Sequence, residues 1–332
     1  MHHAVRLEGL FPRTDRCDMN AGIVDIATAT SGEHVTNAFF DSIGLTDEWI
    51  RRRTGVAARW WMDPAEPLED AAARVCAPLV ARHRERVTIS ALIVVSSSTG
   101  GAMPGIAQRV AQKAGLGTDV LAFDMTAACS GFVYAMISAL SLCESRESCG
   151  VIVCAVEAMS RMLDKTDRNT GPLFGDGAGA VLIEQRATFR KHSWHAGCDG
   201  DRADLMRGEI NGGIQLDGIQ VYDRAVRMMS DTVNRLQDND IEPTIIIGHQ
   251  ANSRILQKVR EQVGARDAVF VDCVEQFGNT SSASIPLALG ACVAERSIPL
   301  AGRSTLVAYG AGEAWGGVAV DYDLAAALGD SA

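Results

Sequence analysis

Short, continuously apolar segments alternate with longer segments of helical periodicity along most of the chain. Apolar runs at residues 91–97, 151–156 and 244–248 predict strands that are buried on both faces. Segments whose apolar residues recur every three to four positions predict helices, as at Leu68–His83 and at residues 221–236. Because strands and helices alternate, the pattern predicts a layered α/β fold with largely parallel strand pairing.

The same patterns predict the remaining elements of secondary structure. Further strands are expected at residues 4–10, 22–29, 121–123, 180–184, 268–273, 305–308 and 317–320. Further helices are expected at residues 47–55, 105–113, 131–143, 252–263 and 284–295, with Gly55 ending the first of them. The polar segment at residues 192–198 is expected to be a surface loop.

The two halves of the chain resemble each other. The apolar segment at residues 91–97 has the same pattern as residues 244–250, and residues 123–131 resemble residues 271–282. Such repetition predicts a duplicated α/β unit, in which equivalent strand ends meet and form the ligand site. The predicted organisation has three parts, namely an N-terminal extension without an assigned role at 1–21, a first half at 22–185 and a second half at 186–332.

Cys129 stands between the end of a predicted strand and the start of a predicted helix. A cysteine at such a turn lies at the positive end of a helix dipole, which favours the nucleophilic thiolate. An isolated cysteine is more often a small residue of the core. Cys129 alone therefore leaves a structural role open, and the residues that favour chemistry lie in the second half.

His249 and Asn279 lie at or just after the ends of predicted strands in the second half. His249 precedes a helix whose N-terminus would keep its imidazole neutral. Asn279 lies in a turn of small polar residues, where it either caps a helix or donates its amide to an oxyanion. The glycine turn at residues 309–312 is either a plain tight turn or the source of a backbone N–H beside that of Cys129, and two such donors form an oxyanion hole.

Composition and charge exclude several classes of protein. The chain has 332 residues with 41 acidic and 31 basic side chains, and its formal net charge of −10 argues against a nucleic-acid-binding protein. No apolar run reaches the roughly 18 residues of a membrane span, and no signal-like segment opens the chain. The nine cysteines form no zinc-type CxxC pairs, so reduced thiols and a cytoplasmic location are expected.

Taken together, these motifs resemble those of β-ketoacyl-acyl-carrier-protein synthase III, a family of condensing enzymes in the thiolase superfamily. The matching segments follow the family's order from about residue 22 onwards. They are Asp47-Glu48-Trp49-Ile50, Ala127-Ala128-Cys129-Ser130-Gly131, Phe174-Gly175-Asp176-Gly177, His249-Gln250-Ala251-Asn252, Gly278-Asn279-Thr280-Ser281 and Gly310-Ala311-Gly312. The resemblance implies a thiolase-like fold with duplicated halves in an α-β-α-β-α architecture, and it implies a homodimer.

The resemblance also implies a decarboxylative condensation. Cys129 would accept an acyl group from acyl-CoA, while the backbone amides of Cys129 and Ala311 hold the oxyanion. His249 and Asn279 would then stabilise the carbanion that forms when a malonyl thioester on acyl carrier protein loses carbon dioxide. Neither a cofactor nor a metal is implied besides these substrates.

Further positions match substrate contacts of the family. The residues that match contacts to CoA or to the carrier protein are Trp49, Arg53, Arg168, Asn252 and Arg254. Their structural alternatives are a packed aromatic ring and solvated polar side chains. Met103 matches a position near the acyl pocket that is usually aromatic, and Glu313 follows the glycine turn where an apolar residue is usual. These departures leave the starter acyl group open, and a specialised starter unit is one option.

Other functional classes compete with condensation. An acyltransferase that passes the acyl group to a hydroxyl or amine would also keep Cys129, but the presence of both His249 and Asn279 favours condensation. A non-catalytic partner subunit would be expected to lose the cysteine. A cysteine hydrolase is disfavoured because no protease-type cysteine segment occurs.

Two further motifs resemble ligand sites only superficially. The glycine-rich residues 175–179 precede a strand instead of opening a helix, which disfavours a dinucleotide site. His192, His195 and Cys198 have the spacing of metal ligands but lack a fourth ligand, which disfavours a metal site.

Overall fold

The computed structural model describes residues 19–101, 103–145, 149–210, 212–237, 242–265 and 267–328. Most of the predicted N-terminal extension, residues 1–18, lies outside the described residues, as does the strand expected at 4–10. The first described strand begins at Asn20, close to the predicted start of the first half.

The described residues form fourteen strands and eight α-helices. The strands are β1 Asn20–Ala29, β2 Glu33–Thr36, β3 Ala58–Trp61, β4 Thr88–Val95, β5 Leu121–Met125, β6 Cys149–Ala158, β7 Asp176–Arg186, β8 Ser193–Cys198, β9 Met206–Glu209, β10 Gly213–Leu216, β11 Ile245–Gly248, β12 Val269–Val271, β13 Ala301–Gly310 and β14 Ala314–Asp323. The helices are α1 Asp47–Thr54, α2 Leu68–His83, α3 Ala107–Lys113, α4 Gly131–Glu144, α5 Gly218–Gln237, α6 Ser253–Gln262, α7 Val274–Phe277 and α8 Ser284–Ala294. Each strand and helix predicted within these residues is present, with ends shifted by a few residues.

Ten strands form one mixed sheet in which the two halves of the chain repeat the same strand order. The first half has the order β1-β7-β6-β4-β5, and the second has the order β8-β14-β13-β11-β12. β4 therefore corresponds to β11 and β5 to β12, which are the segments that resemble each other in sequence. The predicted duplication is confirmed, while the division at residue 186 stays a prediction.

Two expectations about the strands are wrong. β7 pairs antiparallel with β1 and β6, and β14 pairs antiparallel with β13 and β8, so the sheet is mixed instead of largely parallel. The segment at residues 192–198 is not a loop, because Ser193–Cys198 forms β8 and His195 lies opposite Gly317 of β14. β8 borders the sheet and is only partly buried, so it lacks the apolar run that identifies an interior strand.

Helices cover both faces of the sheet and also fill the space between its halves. α4 and α8 are apolar on all sides, and they pack in the centre against strands of both halves. α2 and α3 cover the outer face of the first half, and α5 and α6 cover the outer face of the second. The resulting order of layers is helix, strand, helix, strand, helix, as expected from the resemblance.

Candidate active site

Cys129 lies at the turn between β5 and α4, as the sequence predicted. Ala128 has a left-handed backbone with φ of 45°, which is uncommon for a residue with a Cβ atom and typical of strained turns at functional sites. A single 3-10 turn follows, and α4 begins at Gly131. This turn leaves Cys129 almost completely buried, with 7% of its surface exposed.

The turn that joins β13 to β14 lies directly against Cys129. A Cβ atom at Gly310 would stand 2.9 Å from both the backbone N and the Cβ of Cys129, so only glycine permits this approach. The Ser130 hydroxyl donates to the carbonyl oxygen of Ala314 at 2.7 Å and fastens the turn to the start of α4. Ala311, the predicted partner of Cys129 in the oxyanion hole, lies in this turn.

His249 follows β11, and its ring is held by Ser284 at the first position of α8. The Ser284 hydroxyl oxygen lies 2.7 Å from Nδ1 of His249 and accepts the backbone N–H of Gln250 at 3.3 Å. The Ser284 hydroxyl has a proton that it can donate to Nδ1, and in that tautomer the proton of the neutral ring lies on Nε2. Nε2 donates to no described residue and is therefore available to a ligand.

The imidazole of His249 is neutral at pH 7. Burial lowers the pKa of His249 to about 4, because the interior disfavours the charged ring. The neutral state agrees with the sequence-based expectation, but its cause is burial and not the helix N-terminus. α6 begins only at Ser253.

Asn279 is held in place by the first half of the chain. Its backbone N–H donates to the carbonyl oxygen of Leu173 at 2.9 Å, and its own carbonyl accepts the N–H of Gly175 at 3.0 Å. Its side-chain Oδ1 accepts the backbone N–H of Ser281 at 2.9 Å. The Nδ2 group donates to no described residue, so the amide presents its donors to a ligand.

Two serines of the segment at residues 279–284 reach across to the first half. The Ser281 hydroxyl oxygen lies 3.7 Å from Sγ of Cys129, and the Ser282 hydroxyl donates to Glu157 at 2.6 Å. Glu157 is completely buried near the end of β6. No role for Glu157 was predicted from the sequence, although a lone carboxylate within an otherwise apolar strand is a signal that could have found it.

Cys129 is a thiol and not the thiolate expected from its place beside a helix. Burial, together with the negative charge of Glu157, raises the pKa of Cys129 to about 12, although the Ser281 hydroxyl acts in the opposite direction. Burial also raises the pKa of Glu157, against the donors that surround its carboxylate. Burial therefore acts against the thiolate, which the place of Cys129 beside a helix was expected to favour.

Glu313, the acidic residue in the glycine turn, is buried and neutralised. Its carboxylate accepts from the Arg224 guanidinium of α5 and from the Tyr309 hydroxyl, the latter at 2.6 Å. Its backbone carbonyl accepts the N–H of Asp199 at 3.0 Å. These contacts bind the turn that contains Ala311 to α5 and explain how an acidic residue replaces the usual apolar one.

The predicted contacts to CoA lie mostly on the surface around α1. The Arg53 guanidinium lies 4.9 Å from the centre of the half-buried Trp49 ring. Arg168 donates to the backbone carbonyl of Ile43 at 2.6 Å, just before α1. The structure thus places Trp49 against Arg53, while Arg168 is bonded to the chain that leads into α1.

Asn252 and Arg254 lie at the start of α6. Oδ1 of Asn252 accepts the backbone N–H of Arg254 at 2.9 Å, and Nδ2 donates to the carbonyl oxygen of Arg53 at 3.1 Å. Asn252 therefore acts as a helix cap, the structural alternative for this residue. Arg254 is exposed, and its guanidinium lies 5.7 Å from the ring centre of Tyr222.

Met103, predicted to lie near the acyl pocket, is on the surface of its own chain, and its place near the pocket stays a prediction. Its side chain is 96% exposed. A buried apolar cluster does begin beside Asn279, where Phe174 pairs with the Asn279 backbone. The buried members of this cluster are Met159, Met162, Phe174 and Ile214.

The described residues contain no group of three or more His, Cys, Asp and Glu side chains that could hold a metal ion. His192 lies instead 3.2 Å from Glu144, and Cys198 is exposed. In the described part of the chain, no helix combines the length and the apolar character that a membrane crossing requires.

Comparison with known proteins relates these features to one family. Two family models match, 3-oxoacyl-[acyl-carrier-protein (ACP)] synthase III at residues 123–200 and its C-terminal counterpart at residues 233–322. The β-ketoacyl-[acyl-carrier-protein] synthase III of Staphylococcus saprophyticus is 34% identical over 310 residues, which are 90% of this chain and 98% of the relative.

Solved structures of 3-oxoacyl-(acyl carrier protein) synthase III and of a related β-ketosynthase also match this chain. The 3-oxoacyl-(acyl carrier protein) synthase III of Pseudomonas aeruginosa matches with a TM-score of 0.83 and 31% identity, over 92% of this chain and 98% of its own. The priming β-ketosynthase of the R1128 polyketide biosynthetic pathway matches with a TM-score of 0.83 and 25% identity, over 92% of this chain and 96% of its own.

The matched segments contain the residues that the fold brings together. Cys129 lies in the first matched segment, and His249, Asn279 and Ala311 lie in the second. The thiolase-like fold inferred from the motifs is confirmed by these relatives. The chain belongs to the 3-oxoacyl-[acyl-carrier-protein] synthase III family of condensing enzymes.

Proposed function

We propose that this protein catalyses the decarboxylative condensation of an acyl-CoA with a malonyl thioester carried by acyl carrier protein. The observation that carries the proposal is the segment at residues 279–284, which contacts both Cys129, through Ser281, and His249, through Ser284. Nε2–H of His249 and Nδ2–H of Asn279 have no acceptor among the described residues. A thiol that forms an acyl-enzyme and two neutral donors for an oxyanion are the groups that this reaction needs.

In the first step, Cys129 attacks the acyl-CoA thioester and the acyl group moves to its sulfur. Negative charge develops on the thioester oxygen during the attack. The backbone N–H groups of Cys129 and Ala311 are the proposed donors, because the Gly310 turn lies against Cys129. CoA leaves as the thiol.

In the second step, the malonyl thioester loses carbon dioxide and the remaining carbanion attacks the acyl group. The carbanion is an enolate whose charge lies largely on the thioester oxygen. Neutral His249 and the Asn279 amide donate hydrogen bonds to that oxygen without transferring a proton to it. Removing one such donor costs on the order of 3 kcal/mol in barrier height. The reaction proposed here uses no cofactor or metal.

Transfer of the acyl group to a hydroxyl or amine is the second candidate function. It would require a base that deprotonates the acceptor. His249 does not fit that role, since its Nδ1 is occupied by Ser284 and burial keeps its pKa near 4. The neutral donor pair therefore favours condensation over transfer.

The substrate contacts and the starter unit belong to the same proposal. We assign CoA recognition to Trp49, Arg53 and Arg168, and carrier-protein contact to Arg254, because these side chains border α1 and the start of α6. The resemblance to a priming β-ketosynthase of a polyketide pathway supports a specialised starter unit as an alternative to fatty-acid initiation.

A homodimer is also part of the proposal. β5 borders the sheet with Leu121 half exposed, and an unpaired apolar edge strand is suited to pairing with a second copy. Asp124 of β5 accepts the backbone N–H of Ile106 at 2.9 Å, so the loop that carries Met103 lies beside this edge. A second copy would cover Met103, which reconciles its exposure with a place near an acyl pocket.

The function is tested by mass spectrometry in two stages. The protein is first mixed with a panel of acyl-CoA thioesters, and an acyl adduct on Cys129 is expected. Malonyl-carrier protein is then added, and carbon dioxide with a β-ketoacyl product is expected. Absence of any adduct would contradict a condensing enzyme, and an adduct that passes only to hydroxyl or amine acceptors would identify a transferase. Light scattering measures the dimer, which a monomeric mass would contradict.

A further inference from the structure

Of the residues other than glycine, four in the described part of the chain have a left-handed backbone, namely Ala128, Ser281, Arg296 and Glu313. Arg296 lies just after the end of α8, where this conformation is common. The other three border Cys129. Ala128 precedes it, Ser281 lies 3.7 Å from its Sγ, and Glu313 belongs to the turn that packs against it. Residues with a Cβ atom keep such a conformation only where their surroundings hold it, most often at functional sites.

Glu313 lies in the turn to which an oxyanion donor is assigned. Gly310 pairs with Ala314, so the turn consists of Ala311, Gly312 and Glu313. Glu313 has φ of 51°, which is less favourable for a residue with a Cβ atom than the φ of 78° is for Gly312. Because Ala311 lies two residues before Glu313, the backbone conformation at Glu313 helps to set where the Ala311 N–H lies.

Contacts from three parts of the fold hold Glu313 in this conformation. Its carboxylate accepts from the Arg224 guanidinium of α5 and from the Tyr309 hydroxyl of β13, the latter at 2.6 Å. Its backbone carbonyl accepts the N–H of Asp199, which follows β8, at 3.0 Å. The Arg224 guanidinium also lies 3.5 Å from the Asp199 carboxylate. The Glu313 side chain is fully buried, so water does not compete for these contacts.

The same turn is also fastened to the nucleophile. The Ser130 hydroxyl donates to the carbonyl oxygen of Ala314 at 2.7 Å, directly after Glu313. Gly310 approaches the backbone N of Cys129 so closely that a Cβ atom would stand 2.9 Å from it. The turn is therefore held between the start of α4, which carries the thiol, and α5, which binds Glu313.

Stability alone does not account for an ion pair at this place. Removing a carboxylate and a guanidinium from water carries a cost that their attraction often fails to exceed. Apolar side chains of similar volume would often stabilise the fold equally well or better. What the contacts of Glu313 with Arg224 and Tyr309 add is a fixed geometry of the turn.

We propose that Glu313 is a positioning residue for the oxyanion hole, an inference that rests on the proposed condensing function. Held by its contacts, it keeps the turn in the conformation that directs the Ala311 N–H at the thioester oxygen when Cys129 attacks. Glu313 neither gains nor loses a proton and does not touch the substrate. Its contribution is therefore to the rate of acylation and not to the binding of acyl-CoA.

The test compares two reactions of the same sulfur in Glu313→Gln, with an acyl-CoA that acylates the unmodified protein. Glutamine keeps the shape and an acceptor for the Tyr309 hydroxyl, but it removes the charge that binds Arg224. Single-turnover acylation should slow about 10-fold or more, because a displaced oxyanion donor loses much of its effect. The acyl-CoA concentration at half-saturation should not change. Alkylation by iodoacetamide forms no oxyanion and should proceed at the unmodified rate.

Further variants separate positioning from a general structural role. Adding Arg224→Gln to Glu313→Gln lets two neutral amides hydrogen-bond and should restore part of the acylation rate. Tyr309→Phe removes one contact of Glu313 without leaving a charge unpaired, and it should slow acylation to a smaller extent. Asp231→Asn is the matched control, because it removes an exposed carboxylate of α5 and should acylate at the unmodified rate.

Acylation of Glu313→Gln at the unmodified rate, or an equal slowing of acylation and alkylation, would overturn the positioning role alone. If Glu313→Gln does not fold, Tyr309→Phe decides, and its acylation at the unmodified rate would overturn the role. If the unmodified protein forms no acyl adduct, the condensing function itself fails, and the positioning role with it.

Discussion

The Ser284 hydroxyl lies 2.7 Å from Nδ1 of His249, and this contact leaves Nε2 as the ring nitrogen without a described partner. Ser284 opens α8, a helix buried between the two halves of the fold. His249 follows β11 in the strand layer of the second half. A serine of the central layer therefore orients the ring of a histidine that follows a strand.

Ser284→Ala should impair condensation more than acylation. Without the hydroxyl, Nδ1 loses its donor and the ring no longer favours the Nε2–H tautomer. We expect decarboxylation of the malonyl thioester to fall 10-fold or more, while the acyl adduct on Cys129 still forms. Ser284→Thr keeps a hydroxyl and should retain most of the activity. Equal loss in both steps for Ser284→Ala would point to a general structural effect.

Gly310→Ala should block acylation. The added Cβ would stand 2.9 Å from two atoms of Cys129, so the nucleophile or the turn must move. Overpacking of this kind costs about 1–3 kcal/mol in the free energy of unfolding. Gly117→Ala is the matched control, since no heavy atom lies within 4 Å of its Cβ. Urea unfolding and adduct formation measure both effects, and normal acylation of Gly310→Ala would contradict the close approach.

The buried ion pair between Arg224 and Glu313 should contribute more to the free energy of unfolding than the exposed ion pairs of the surface. Arg224→Leu leaves the buried Glu313 carboxylate without its cation, which we expect to cost about 3–5 kcal/mol in the free energy of unfolding. The double variant Arg224→Leu, Glu313→Leu should recover most of this loss. Arg227→Leu on the same helix removes an exposed pair and should change stability by less than about 1 kcal/mol. Additive losses in the double variant would exclude a buried ion pair.

His83 should stabilise the fold less as the pH rises. Its Nε2 lies 2.7 Å from the buried Asp25, and hydrogen bonds to Asp25 and Glu184 raise the pKa of His83. A group whose pKa is raised by folding stabilises the protein fully below its unfolded value of about 6.5 and loses that effect as the pH passes its folded pKa.

This pH dependence is measured with His83→Gln. The difference in the free energy of unfolding between His83→Gln and the unmodified protein should be larger at pH 6 than at pH 9. Although burial acts to raise the pKa of Asp25, hydrogen bonds from His83 and Arg82 lower it overall, so its own contribution is lost only in acid. A difference that is constant from pH 6 to pH 9 would contradict a charged His83.

Much of the fold follows from local pattern. The apolar runs of β4, β6 and β11 identify interior strands because each must be covered on both faces. The similarity of the paired segments predicts the duplication, because equal patterns fold into equal units. β8 could not be predicted in this way, because a partly buried strand has no apolar run. The antiparallel pairings could not be predicted either, because strand direction depends on how the chain returns to the sheet.

The candidate site likewise has one part that the sequence predicted and one part that only the tertiary structure decided. Sequence alone identified Cys129, His249 and Asn279 by their residue types and their places after predicted strands. Only the tertiary structure placed Glu157 among serines from both halves and left Met103 exposed. It also decided the protonation states, because a pKa depends on burial and on charges that are distant in sequence. The nucleophile predicted as a thiolate is therefore a buried thiol, and its chemistry depends on what surrounds it.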